Sequence, residues 1–259
     1  MQAVMGKILW VDLTNATWRD ELVPPAVYER YLGGMGLAAY YLYKHIPAQA
    51  DALGPQNILA FVPGLLTATG SMLTGRWMAA AKSPLTNTWG DANCGGTLAP
   101  AIKQCGYDAI FFSGISEKPV YLYIRHGQVE LRDAQSLWGQ DTRETEATLR
   151  APFDEKPVAV ACIGPAGEKL SLMAAISNDN GRLAARSGLG AVMGSKKLKA
   201  LVLSGAYPVV VADPVEMKRQ TQRFLRYSEF QPPFLNGVGM RVLATLMRWL
   251  PLQMRQDGM

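Results

Sequence analysis

The sequence predicts an α+β fold made from a duplicated unit, followed by the start of a helical domain. Three observations predict it. Short apolar strand segments alternate with short helical ones up to about residue 210; a strand ending at a Pro/Gly break and followed by a Gly-Arg pair occurs twice; and beyond that point strand signals give way to two amphipathic helices. The repeated feature is Pro63-Gly64 with Gly75-Arg76, then Gly164-Pro165 with Gly181-Arg182, and two such halves would bring two arginines to one shared site.

In chain order, "GKILWVDLTNATWRDEL" alternates as a hairpin around Thr14-Asn15-Ala16. "PAVYERYLGGMGLAAYYLYKHI" has helical periodicity broken at Gly33-Gly34-Met35-Gly36, the pattern of a helix, a glycine turn and a second helix. "NILAFVPGLLTAT" and "RWMAAAKSP" read as strand, loop, strand. "LAPAIKQCG" is a short helix stopped by Gly106, and "DAIFFSGIS" and "VYLYIRHGQVELRDA" are strands with a turn at His126-Gly127. "DTRETEATLRA" is a helix with Asp141 as N-cap and Glu144 at the spacing of a capping box. "VAVACIGPAG", "LMAAISND" and "KALVLSG" complete the strand set. "DPVEMKRQTQRFLRYSEF" is an amphipathic helix begun by Asp213-Pro214, and after a loop at Pro232-Pro233 the segment Arg241 to Leu250 carries Val242, Leu243, Leu246, Met247 and Leu250 as an apolar stripe. That stripe has little left in the chain to cover it, so the chain is expected to stop inside a larger architecture.

The composition, 49% hydrophobic and 18% charged, is that of a globular protein able to bury a sizeable core. A net charge of +5 permits nucleic-acid binding, but the basic residues are dispersed, with no recognition helix and no interleaved stacking aromatics. Nothing at the start reads as a signal peptide, and no apolar run is long enough for a membrane span. Cys94, Cys105 and Cys162 lie far apart in no paired spacing, which excludes a disulfide framework and a complete zinc or cluster site and predicts a reducing cytoplasm. His45 and His126 are expected to be solvated, and no residue is assigned a catalytic role.

One stretch, "ARSGLGAVMGSKKLKA" from Ala185 to Ala200, resembles a nucleotide-binding loop without matching one. The Walker spacing fails at Gly194-Ser195-Lys196, and the spacing Gly188, Gly190, Gly194 lacks the preceding strand that a dinucleotide fingerprint requires. What remains is a run with Arg182, Arg186, Lys196, Lys197 and Lys199, no acid among them, and glycines that let backbone N–H groups come close to a ligand. That chemistry suits an anion with several phosphate or polar edges.

"GKILWVDLTN", "YLGGMGLAAYYLY", "KSPLT", "CGYDAIFFSG", "EKPVYLYI", "LWG", "IGPAGE" and "ARSGLGAVMGSKKLKA", in that order over roughly the first 205 residues, resemble the aldehyde ferredoxin oxidoreductase family, specifically its N-terminal cofactor-binding domain. The resemblance implies a base of two β-sheets related by pseudo-twofold symmetry, with a tungsten bis-pterin of the molybdopterin type resting on it. It implies residues 1–210 as the tungsten-pterin-binding domain and 211–259 as the beginning of a helical domain. Arg76 and Arg182 match the family's best cofactor contacts, guanidinium groups being suited to directed, paired hydrogen bonds with phosphate. Asn93 and Leu183 match positions whose backbone oxygens hold a magnesium ion that bridges the pterin phosphates, and Cys94, Gly95, Gly96, Arg186, Gly188 and Gly190 line the same surface.

Three departures stand out. "GLLTAT" replaces Gly-Pro-Leu-Thr-Gly-Thr, Ser187 stands where a glycine is usual and would crowd a pterin, and Cys94 stands where many members carry serine. A thiolate beside a soft metal is one reading of Cys94; a small half-buried thiol is the plainer one. The family's [4Fe–4S] cluster needs four thiolates, which this chain cannot supply. The resemblance therefore implies the cofactor-binding part of an enzyme that oxidises aldehydes to carboxylic acids, passing electrons through a cluster in the complete enzyme to ferredoxin or another electron-transfer subunit. Missing helical domains or a second subunit, in a homo- or hetero-oligomer, would complete it. The alternatives are a noncatalytic pterin-binding or assembly module and a family member acting on another carbonyl or an aromatic acyl thioester.

Overall fold

The computed structural model describes residues 2–125, 127–153, 158–228 and 238–247, in two compact units, Met1–Ala212 and Asp213–Met259. His126, the Pro232-Pro233 loop and Leu250 lie outside the described residues. In the first unit twelve strands form two six-stranded sheets. The first half contributes β1 (Lys7–Asp12), β2 (Thr17–Leu22), α1 (Pro25–Tyr31), α2 (Met35–His45), β3 (Leu59–Pro63), β4 (Trp77–Lys82), β5 (Trp89–Cys94), α3 (Leu98–Gln104) and β6 (Ile110–Ser113). The second contributes β7 (Val120–Arg125), β8 (Gln128–Asp133), α4 (Thr142–Arg150), β9 (Ala159–Cys162), α5 (Pro165–Glu168), β10 (Ile176–Asn178), β11 (Arg182–Ala184), α6 (Leu189–Ser195) and β12 (Leu198–Ser204).

The duplication holds strand for strand. The first sheet runs β2-β1-β6-β3-β4-β5 and the second β8-β7-β12-β9-β10-β11, so each strand corresponds to the one six places later. In each half the opening hairpin lies parallel to the sixth strand of that half and every other pairing is antiparallel. Register can be carried across residue by residue. Leu9 pairs with Ile110 and Leu122 with Leu201; Ile110 pairs with Phe61 and Leu201 with Ala161; these pair next with Ala79 and Asn178. One place along, Met78 pairs with Asn93 and Ser177 with Leu183, which makes Asn93 and Leu183 counterparts.

Burial sets the layers. The apolar cluster between the sheets takes residues from β1, β3, β4, β6, β7, β9 and β12 together with α3 and α6, each of which touches strands of both sheets. Ile8, Trp10 and Phe111 on the outer face of the first sheet are covered by α1 and α2. Tyr123, Val160 and Val202 on the outer face of the second are covered by α4 and the turn at Phe153. The α4 N-terminus has the predicted capping box, with Asp141 accepting from Arg143 and Glu144 backbone N–H groups while the Glu144 side chain accepts from the Asp141 N–H.

Three local expectations are corrected. The glycine-rich stretch is not a loop: after Gly188 it is helix α6, buried between the sheets, with Gly190 against the backbone of Ala174 and Ala175 and Gly194 against Gly167. The edge strands β5 and β11 were not expected, because β5 is interrupted by Asp91 and Asn93 and β11 is only three residues long. The two Gly-Arg pairs are out of register with the true repeat: Arg76 immediately precedes β4, whereas Arg182 opens β11, the counterpart of β5.

In the second unit, α7 (Pro214–Ser228) starts at Asp213, whose Oδ1 accepts from the Glu216 N–H at 2.8 Å. In α8 (Val238–Met247) the described side chains Val242 and Leu246 are exposed. Among the described residues no helix is long and apolar enough to cross a membrane.

Candidate anion and cofactor site

The edge strands β5 and β11 touch, so the pseudo-twofold relation passes between them. The candidate site is built at that junction. Gly95 directly follows β5, and its carbonyl is fixed from both halves: Trp77 Nε1 donates to it at 3.3 Å and Asn178 Nδ2 at 3.1 Å. Above Gly95 two guanidinium groups converge. A Cβ placed on Gly95 would lie 3.8 Å from Arg76 Nη1 and 3.7 Å from Arg182 Nη1.

Arg76 is held by Asn93, with Nε donating to the side-chain oxygen and Nη2 to the backbone oxygen at 3.3 Å. Among the described residues neither Arg76, Arg182 nor Arg186 makes an ion pair, although all three are exposed. Two like charges held close together without a carboxylate between them form a receptor for an anion.

The structure brings Arg76, Asn93, Cys94, Gly95, Gly96 and Arg182 together, with Leu183 as the exposed counterpart of Asn93 across the pseudo-twofold. Gly96 has φ +105°, and a Cβ there would fall 2.1 Å from Asp179 Oδ2 and 2.5 Å from Asn178 Nδ2, so only glycine fits. Cys94 is buried; its thiol donates to Asn178 Oδ1 at 3.2 Å, and burial pushes its pKa up against the pull of Arg76 and Arg182. That geometry is a protonated, packed thiol. Gly188 and Gly190 are buried, their α-carbons against the backbone of Leu172 and Ala174.

Ser187 donates to the Asp91 backbone oxygen at 3.1 Å and accepts, through its own carbonyl, from Ser83 Oγ at 2.9 Å, which ties the start of α6 to the first sheet. The lysines of the basic run are not part of the receptor. Lys196 Nζ is fully buried on the carbonyls of Asn57 and Gly114, Lys199 pairs with Glu168 at 2.5 Å, and Lys197 caps the Glu117 carbonyl. Arg182 and Arg186 alone of that set stay available. His45 is exposed and packs edge-to-face on Trp10, with ring centroids 5.2 Å apart.

Sequence reasoning missed Asn178, Asp179 and Thr97. Asp179 accepts from the Thr97 N–H and hydroxyl, both at 2.6 Å, and from Arg150 at 3.2 Å. The available signal was Asn180-Gly181 after a strand, a strong hairpin marker that places Asp179 in the turn and Arg182 at the start of the return strand. Among the described residues no group of three or more His, Cys, Asp or Glu side chains is arranged to hold a metal ion.

Comparison with known proteins matches residues 8–205 to the model of the aldehyde ferredoxin oxidoreductase N-terminal domain. The tungsten-containing aldehyde ferredoxin oxidoreductase of Thermococcus kodakarensis is 45% identical over 208 residues, covering 80% of this chain and 34% of that protein. The aliphatic sulfonate oxidoreductase WOR-like subunit of Pyrococcus furiosus is 34% identical over 240 residues, 86% of this chain and 38% of that one. Among solved structures, the active-site complex BamBC of benzoyl-coenzyme A reductase with 1,5-dienoyl-CoA superposes with a TM-score of 0.85 at 38% identity, over 87% of this chain and 34% of that chain. The chain thus spans about a third of the length of the relatives it matches.

Proposed function

This chain belongs to the aldehyde ferredoxin oxidoreductase family, whose N-terminal domain it contains, and on that premise we propose that residues 8–205 form the base that binds a tungsten bis-pterin. The observation that carries the reading is the convergence of Arg76 and Arg182 over Gly95 with no carboxylate between them. The donor set fits the group. The guanidinium groups of Arg76 and Arg182 offer paired N–H donors to pterin phosphates, and Gly95 and Gly96 keep the floor clear of side chains.

Asn93 and Leu183 are register counterparts, which supports the assignment of their backbone oxygens as the symmetric pair that would hold a magnesium ion. The Asn93 oxygen accepts one hydrogen bond from Arg76 and retains a lone pair for the ion. When bound, the tungsten and its pterins supply the two-electron redox chemistry. The chain's part is to bind, to orient and to place positive charge.

In the complete enzyme the reaction is oxidation of an aldehyde to a carboxylic acid, with electrons leaving through a [4Fe–4S] cluster to ferredoxin or a related acceptor. The cluster ligands and the groups that act on substrate belong to helical domains or a second subunit. Relatives named for aldehydes, an aliphatic sulfonate and benzoyl-coenzyme A share this same third of their length, which supports a base that serves the cofactor while other parts choose the substrate. A second reading, an aromatic acyl thioester as substrate, draws on the 38% identity to the benzoyl-coenzyme A reductase complex. Three free cysteines support a reducing, cytoplasmic setting.

The test is Arg76→Ala, Arg182→Ala and the double variant in the complete enzyme, with tungsten and pterin measured per chain and folding followed by circular dichroism. Each contact is worth about 1.5–3 kcal/mol, so occupancy falls in each single variant and further in the double, with the fold kept. Full occupancy in the double variant removes both arginines from the site.

A further inference from the structure

Asp179 lies in the turn between β10 and β11, where Asp179, Asn180 and Gly181 all have positive φ, at 48°, 56° and 120°. Such a turn is held from outside. Glu146, buried on α4, accepts from the Asn180 N–H at 2.8 Å, and Arg150, one helical turn further along, bridges Glu146 at 2.8 Å and Asp179 at 3.2 Å. The turn in turn grips the other half. Asn178 binds Cys94 and Gly95, and Asp179 takes both the N–H and the hydroxyl of Thr97.

The Asp179 carboxylate and the Arg182 side chain crowd the same space beside Gly96: a Cβ there would be 2.1 Å from Asp179 Oδ2 and 3.1 Å from Arg182 Cδ. An aspartate that close is the natural partner of the arginine, yet the two make no ion pair. Both Asp179 oxygens are already taken, Oδ1 by the Thr97 hydroxyl and Arg150, Oδ2 by the Thr97 N–H and Asn178 Nδ2. We propose that Asp179 is a positioning residue for the anion site: it ties the turn that carries Arg182 to the Gly95–Thr97 turn of the opposite half and, because Arg150 holds it, leaves the Arg182 guanidinium free for phosphate. This rests on the cofactor-base reading above.

The experiment titrates the full chain with pyrophosphate plus magnesium by calorimetry, with Arg76→Ala and Arg182→Ala as controls for the site itself. Arg150→Met frees the Asp179 carboxylate to capture Arg182, and affinity is expected to fall about tenfold. Arg150→Met combined with Asp179→Asn removes the competing charge while keeping an acceptor for Thr97, and is expected to regain most of that loss. A network that served only to hold the fold would give a double variant no better than the single one. That result, or wild-type affinity in a folded Asp179→Ala, overturns the proposal while leaving the site reading intact. A wild-type chain that fails to bind the probe, or that binds it no better than the arginine controls, overturns the site reading and the positioning role with it.

Discussion

Residues 103–108 of the first half and residues 194–199 of the second occupy the same stretch of backbone, from the end of a buried helix into a central strand, and they treat buried charge in opposite ways. The helix ends match bond for bond: the Gly106 N–H donates to the Lys103 carbonyl and the Lys197 N–H to the Gly194 carbonyl. Lys103 in the first half corresponds to Gly194 in the second, Cys105 to Lys196, and Asp108 to Lys199. In the first half Asp108 gathers the N–H groups of Met5 and Gly6 at 2.8 Å and the Tyr28 hydroxyl at 2.6 Å, with Lys103 at 4.0 Å. Burial raises the pKa of Asp108 and lowers that of Lys103. In the second half Lys199 meets Glu168, while Lys196 is buried on two carbonyls with no acid beside it. The difference teaches that the apolar pattern and the turns specify the shared strand diagram, and that each half anchors it with private polar contacts. Buried residues that make these contacts should therefore not be exchangeable between matched positions.

The largest break in that comparison comes at Gly194→Ala. Its counterpart Lys103 carries a long side chain, whereas a Cβ at 194 would sit 1.9 Å from the Gly167 carbonyl oxygen and 2.6 Å from its carbon. Backbone cannot yield as a side-chain tip does, so α6 must lift off α5. We expect a loss of about 3 kcal/mol, at the upper end for overpacking, and a fall in Tm of about 10 °C in this chain. Thermal unfolding that shows a change under 1 kcal/mol would mean that the two helices are not pressed together.

A middle-sized effect sharpens the contrast between Lys196 and its neutral counterpart Cys105. Burial pushes the Lys196 ammonium down from 10.5 to about 7. The folded-state pKa is therefore below the unfolded one, and between these two values the unfolded chain binds the extra proton. The Lys196 contribution makes stability rise with pH from about 7 towards 10.5, and below about 7 the cost of holding the charge is fully present. Each unit is worth about 1.4 kcal/mol, so the swing amounts to a few kcal/mol. Denaturant unfolding at pH 6.5 and 9.5 checks this: Lys196→Met should lose most of the rise that the wild type shows. Equal slopes for both proteins would assign the pH dependence elsewhere.

Much of the fold was legible because the paired strands of the interior are continuous apolar runs and the hairpins carry plain turn residues. The edge strands β2 and β8 were read as hairpin arms, but the edges β5 and β11 were not. Trp89–Cys94 buries alternate residues, but these are the small Gly90, Ala92 and Cys94, and Arg182–Ala184 is only three residues long, so neither carries the run of large apolar residues that marks a strand. Helix α6 was unreadable for the opposite reason: it is buried all round, so no polar face marks its period. At the site, Arg76, Asn93 and Arg182 could be found by matching motifs, but the grip of Asn178 and Asp179 on Cys94, Gly95 and Thr97 joins residues some eighty positions apart and exists only once the two edges meet. The basic run misled because lysine is read as a surface charge, while Lys196 and Lys199 satisfy interior carbonyls and a carboxylate.

The smallest effect concerns the residue just past each helix, Gly106 in the first half and Lys197 in the second. Both are left-handed, with φ +94° and +53°, yet one is glycine and the other a β-carbon-bearing lysine. A Cβ at 106 would meet the Tyr207 ring at 3.5 Å and the Lys7 stem at 3.8 Å, so space does not forbid a side chain there. Gly106→Lys should then cost only the left-handed strain, about 1 kcal/mol. The reverse change, Lys197→Gly, relieves a similar strain but gives up the Nζ bond to the Glu117 carbonyl and enlarges the freedom of the unfolded chain. Those terms nearly cancel, and the net change should stay within about 0.5 kcal/mol of wild type. Chemical denaturation of both variants checks the asymmetry. If Lys197→Gly destabilises by 2 kcal/mol or more, the Glu117 contact rather than backbone conformation decides this position, and the two helix ends are alike in shape but not in what holds them.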